Sequence, residues 1–176
     1  MMRTSNKLII FIFLSLYYFN ASAEQRLYKI ELLIFSQNMP NTEVFDQSES
    51  QINWPQKRVN LSSYRQVNSQ NLSLKGSYAR LARSQNYQPI MHVAWTQAVE
   101  SNSLSRAVKI TNVDGSINGF FRMQRGHLLH MIIDLEYSKD SVIYRLNEKR
   151  RFKLNETHYF DHPKFGVIAR VSPIGK

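Results

Sequence analysis

Residues 116–137 read SINGFFRMQRGHLLHMIIDLEY. Within them Leu129, Met131, Ile133, Leu135 and Tyr137 recur at every second position. That is the period at which a strand turns its side chains to one face, so 128–137 is expected as a strand with these five residues in the core. Arg125-Gly126 breaks the pattern as a turn would, which makes 116–124 the preceding strand. Upstream, Asp114-Gly115 marks a hairpin, because glycine adopts the positive φ a tight turn needs. Strands are therefore also expected at 107–111, at 141–154 and at 165–171.

Residues 89–97, PIMHVAWTQ, give another strand, with Ile90, His92, Ala94 and Thr96 on one face and Met91, Val93 and Trp95 on the other. Residues 26–35, RLYKIELLIF, place Tyr28, Ile30, Leu32 and Ile34 on one face and Leu33 and Phe35 on the other. Apolar groups on both faces predict a central strand. Residues 73–84, SLKGSYARLARS, carry Leu74, Tyr78, Leu81 and Ala82 at helical spacing, with Ser73 placed to cap. Between strand and helix, 37–71 is rich in Ser, Asn and Gln and holds no period. It is expected as a long irregular loop, with Trp54 pinning it to the core. The fold class expected from this order is α+β: a mostly antiparallel twisted sheet, one main helix packed on one face, and the loop.

Residues 1–23 have the marks of a leader. Arg3 and Lys7 precede an apolar run at 8–19, and Ala21-Ser22-Ala23 supplies a cleavage site. The run is shorter than the ~20 residues a membrane helix needs. Export with cleavage after Ala23 is expected, leaving 24–176 as a single periplasmic domain that is not membrane-embedded. Removing the two basic residues of the leader leaves 21 basic against 13 acidic residues, a charge of +8. Such a balance favours polyanions, and export makes an anionic wall polymer a better partner than nucleic acid. The chain has no cysteine, which excludes a disulfide framework and an acylated lipoprotein.

The densest chemistry lies at 148–166, EKRRFKLNETHYFDHPKFG. In an extended segment Arg145, Lys149, Arg151 and Lys153 share one face and Glu148, Arg150, Phe152 and Leu154 the other. The run leads into His158-Tyr159-Phe160-Asp161-His162-Pro163, expected as a rigid turn. His158, Asp161 and His162 suit zinc in ligand type, though their spacing fits no standard pattern. His127 and His130 chelate poorly on a strand. Asp134 and Glu136, two apart on one strand face, are spaced for a pair of glycosidase carboxyls, or simply for a solvated face. Neither a nucleophile elbow nor a Gly-rich phosphate loop is present.

YKIELLIF, the isolated Trp54, PIMHVAWTQ, GFFRMQRGHLLHMIIDL and EKRRFKLNETHYFDHPKFGVIARVSP follow one another along the chain. In this order they resemble the CsiV family of small periplasmic proteins, most specifically in the closing segment. The resemblance implies a non-catalytic protein, and no cofactor is expected. It also implies two partners: peptidoglycan, and the outer-membrane lipoprotein activator of a bifunctional penicillin-binding protein. On this reading Arg150 and Arg151 grip carboxylates, Tyr159 and Trp95 stack on the ligand, and His158, Asp161 and His162 hold the turn, with His162 near the ligand. A zinc-dependent wall hydrolase using His158, Asp161 and His162, and a pure protein–protein adaptor, are the alternatives.

Overall fold

The computed structural model describes residues 25–38 and 51–175; the expected leader and residues 39–50 of the expected loop lie outside them. Among the described residues eleven strands and one α-helix follow in the order β1 (Gln25–Gln37), β2 (Arg58–Asn60), β3 (Arg65–Gln66), α1 (Lys75–Ala82), β4 (Tyr87–Glu100), β5 (Ser103–Leu104), β6 (Ala107–Thr111), β7 (Ile117–Arg125), β8 (Leu129–Lys139), β9 (Val142–Phe152), β10 (Thr157–His162) and β11 (Phe165–Ile174). They form two sheets. The first has the order β10-β11-β1-β4-β3 and the second β2-β6-β7-β8-β9, with β5 pairing β7. Pairing is antiparallel except between β2 and β6.

The expected fold class is thereby corrected: the protein is mostly β, and its core lies between two sheets rather than between a sheet and a helix. Tyr28, Ile30, Leu32 and Ile34 of β1 and Trp95 of β4 meet Phe121, Met123, Met131, Ile133, Leu135 and Leu146 of the second sheet. Trp95 and Phe121 contact edge to face at 5.5 Å across the gap. Each such buried side chain contributes about 1.5–3 kcal/mol, so this layer dominates stability. The helix contributes little, since none of its residues is buried. Its stripe is too short to seal a sheet face, whereas alternating strands in two groups seal each other.

β1 is central, as its two apolar faces predict. It pairs with β11 from Leu27↔Ile174 to Ser36↔Phe165 and with β4 on its other edge. The β4 register shifts between Ile34 and Phe35, where Pro89 comes opposite Phe35; a proline without an N–H is accommodated at such a bulge.

Ser73 does not cap the helix. Its backbone N–H and that of Leu74 donate instead to the two carboxylate oxygens of Glu31, each at 2.8 Å. Glu31 is buried on the outer face of β1, and His92 Nε2 lies 2.9 Å from it. A carboxylate offered by a neighbouring strand is a stronger acceptor than a hydroxyl, and it sits where the helix dipole favours negative charge.

The described part of the expected loop is not structureless. It supplies an edge strand to each sheet, β2 to the second and β3 to the first. Trp54 does pin it: the indole lies 5.9 Å from Phe120 on the outer face of the second sheet, beside Ile52 and Ile132.

Candidate functional site

The closing motif is a strand, not a turn: residues 157–162 form β10, and the chain reverses at Pro163-Lys164 into β11. Strand alternation then divides the expected site. His158, Phe160 and His162 face inward. The His158 ring meets Phe152 at 6.0 Å, Phe160 is fully buried, and His162 meets Phe165 at 5.3 Å and Tyr144 at 5.9 Å. Burial holds the His162 imidazole below its ordinary pKa, and Nδ1 accepts from the Lys164 backbone N–H at 3.2 Å.

Tyr159 and Asp161 face outward. The Tyr159 hydroxyl donates to Asp161 Oδ1 at 2.6 Å, and Gln37 Nε2 donates to both residues, at 3.1 and 2.8 Å. Burial first, then the neighbouring carboxylate, pushes the Tyr159 phenol far above its usual pKa, so it stays a donor. Its ring stacks on Phe35 at 6.0 Å. The Gln37–Tyr159–Asp161 cluster thus holds the β10 edge to β1, with an exposed tyrosine rim.

The zinc arrangement does not form. His158 and His162 are four strand residues apart, roughly 13 Å, and Asp161 points to the opposite face. Among the described residues no group of three or more His, Cys, Asp or Glu side chains is placed to hold a metal ion. The carboxylate pair is also committed. Arg145 forks onto Asp134 through Nε and Nη2, both at 2.8 Å, and its Nη1 donates to the Gln51 carbonyl. Burial raises the pKa of Glu136, partly offset by a hydrogen bond with Asn118.

The two expected carboxylate grips part company. Arg150 lies on the inward face of β9. Its Nε and Nη2 reach Glu148 Oε1 at 2.7 Å, Nη1 donates to the Tyr159 carbonyl, and the guanidinium carbon sits 4.9 Å over the Phe160 ring. Arg150 is therefore a strut tying the edge of the second sheet to the edge of the first. Arg151 is exposed on the outer face opposite His130 and makes no hydrogen bond or ion pair among the described residues. Arg150→Ala is expected to cost about 1–2 kcal/mol in urea denaturation, and Arg151→Ala less than about 0.5 kcal/mol. Equal costs would refute the strut. Trp95, expected to stack on a ligand, is wholly buried, and its indole N–H donates to Gln97 Oε1 at 3.1 Å. It has no surface to offer.

Sequence reasoning found the β9 stripe of the second sheet's cationic outer face but missed the cations that other strands add to it, because register across strands assembles them. Arg122, Ile132 and Lys149 are directly opposed in successive strands, and Arg151 follows one step along β9. Lys109 stands opposite Phe120, and Arg58 rests on the Trp54 ring at 5.6 Å. Trp54, Arg58, Lys109 and Asn118 surround an open cleft of about 320 Å³. None of these five cations has a carboxylate partner among the described residues. The signal available in sequence was the odd-numbered set Arg145, Lys149, Arg151 and Lys153; the partners from β6 and β7 had none.

No helix among the described residues is long and apolar enough to cross a membrane. No curated protein and no solved structure matches the chain. Residues 44–143 and 136–174 match the model of one family, described as the peptidoglycan-binding protein CsiV. These segments take in both sheets apart from β1, together with the closing β9–β11 segment, and the chain belongs to the CsiV family of peptidoglycan-binding proteins.

Proposed function

We propose that this chain is an exported, non-catalytic accessory protein that binds peptidoglycan through the cationic outer face of the second sheet. It supports wall synthesis by a bifunctional penicillin-binding protein through that enzyme's outer-membrane lipoprotein activator. Family membership carries the ligand class. The cations Lys109, Arg122, Lys149 and Arg151, without a carboxylate partner among the described residues, support this sheet face as the surface, since peptidoglycan stems present carboxylates and arginine grips them through paired N–H donors. The leader at 1–23 supports a periplasmic location, with Glu24 as the first residue of the mature protein.

Purified protein is expected to co-sediment with isolated sacculi at low salt and to be released at high salt, as screening weakens exposed charge pairs. Lys149→Glu with Arg151→Glu should lower the bound fraction about tenfold with folding unchanged. Failure of the wild-type protein to sediment at low salt would refute wall binding. Unchanged sedimentation of the double variant would refute the assigned face. Direct capture of the purified activator, with and without wall fragments, tests the partner, and no capture in either condition removes that part of the reading.

A further inference from the structure

A second cleft, of about 500 Å³, opens where β4 and β5 meet the segments before β2 and β3. Lys57, Tyr64, Gln97, Glu100, Ser103 and Arg106 contribute to its lining. This volume falls within the ~300–1,000 Å³ typical of ligand sites, and the cleft adjoins the cationic sheet face at Ser105, whose carbonyl accepts from Arg122 Nε at 2.9 Å.

Gln97 is the most telling of these residues. It is 2% exposed, on the same strand face as Trp95. Its Oε1 is taken by the Trp95 indole N–H at 3.1 Å, which leaves the amide N–H groups as the end of the side chain able to meet a ligand. An amide with its oxygen anchored presents only donors. Around it Lys57 and Arg106 are exposed cations with no carboxylate partner among the described residues. Burial pushes the Tyr64 phenol above its ordinary pKa, with nearby Arg106 pulling it partly back, so the hydroxyl stays protonated. Glu100, the acid of this lining, accepts from Gln25 Nε2 at 3.1 Å and stands at the rim.

We infer that this cleft is a subsite for a carboxylate of the peptidoglycan stem peptide. Lys57 and Arg106 neutralise the carboxylate, Gln97 and Tyr64 donate to its oxygens or to an adjacent carbonyl, and Glu100 receives an ammonium or amide N–H of the same peptide. The assignment rests on peptidoglycan binding as proposed above and adds the part of the polymer that is read. A cleft so rich in donors discriminates an anion from its amide, because the amide brings no charge and adds donors of its own.

The test titrates the full purified protein with three soluble fragments: a disaccharide bearing a stem peptide with free carboxylates, the same fragment with those carboxylates amidated, and the disaccharide alone. Binding of the first is expected to be at least about tenfold tighter than that of the other two, as befits a charge-assisted pair. Lys57→Ala with Arg106→Ala, both exposed positions, should remove most of that preference, and Lys149→Glu with Arg151→Glu, which weakens binding at the sheet face without touching the cleft, should remove less of it. Equal binding of the free and amidated peptides, no binding of the free peptide by a protein that sediments with sacculi, or an unaltered preference in the Lys57/Arg106 variant would each overturn the subsite while leaving wall binding standing. A wild-type protein that binds neither sacculi nor fragments would overturn both.

Discussion

Gly119→Ala is expected to remove about 4 kcal/mol or more of stability, the largest effect of any single substitution argued for this protein. Gly119 lies in β7 at φ +148°, a backbone conformation that residues with a Cβ rarely adopt. A Cβ there would stand 2.1 Å from the Asp134 carbonyl oxygen and 2.7 Å from the Leu135 Cα. Both atoms are backbone of β8, so no rotamer change relieves the clash. Nor is β8 free to retreat, because β9 pairs its far edge and Arg145 forks onto Asp134. Domains of this size have only ~5–15 kcal/mol in total. The check is urea denaturation followed by far-UV circular dichroism. A variant within about 1 kcal/mol of wild type would mean that β7 and β8 separate at little cost, contrary to the geometry.

Glu31→Ala comes next, with an expected loss of about 3–5 kcal/mol. The substitution strands three donors together: the N–H groups of Ser73 and Leu74 at the start of α1, and His92. An unsatisfied buried donor costs about 1–3 kcal/mol. Loosening should concentrate in α1, which buries nothing of its own, and hydrogen exchange in 75–82 should accelerate more than in β7 or β8.

The same carboxylate has a pH signature. Burial alone would raise its pKa, but the hydrogen bonds from His92, Leu74 and Ser73 outweigh burial and hold it below the ordinary value of 4.5. A carboxyl whose folded pKa is lowered contributes stability that is fully present above its unfolded value and is lost as pH falls through the folded value. Stability should therefore decline below about pH 4.5, and the decline should be shallower in Glu31→Gln, which cannot titrate. Parallel acid limbs for the two proteins would refute the assignment to Glu31.

Several elements were legible because their signal is local. The period of two in 128–137, the turn residues at 114–115 and 125–126, and the two apolar faces of 26–35 are properties of short segments, and each corresponds to an observed strand or turn. The helix at 73–84 was also legible, but not its cap, since the capping carboxylate comes from Glu31, some forty residues away in sequence. The error in fold class has the same origin. Inward-facing rows on β1 and β4 and on β7 and β8 look alike whether they meet a helix or one another.

The candidate site divides along the same line. Composition determined a basic, cysteine-free chain, and the order of its segments determined the resemblance to a peptidoglycan-binding family. Alternation alone also separated Arg150 from Arg151 onto opposite faces of β9. Only the tertiary structure decided which face is buried, making Arg150 a strut under Phe160, Trp95 an anchor for Gln97, and Arg151 a free cation. It likewise decided that Lys57, Gln97 and Arg106 border one cleft. The physical reason is that a sequence specifies where a side chain points relative to its own strand, whereas its exposure and charge partners depend on pairing and sheet packing between segments far apart in the chain.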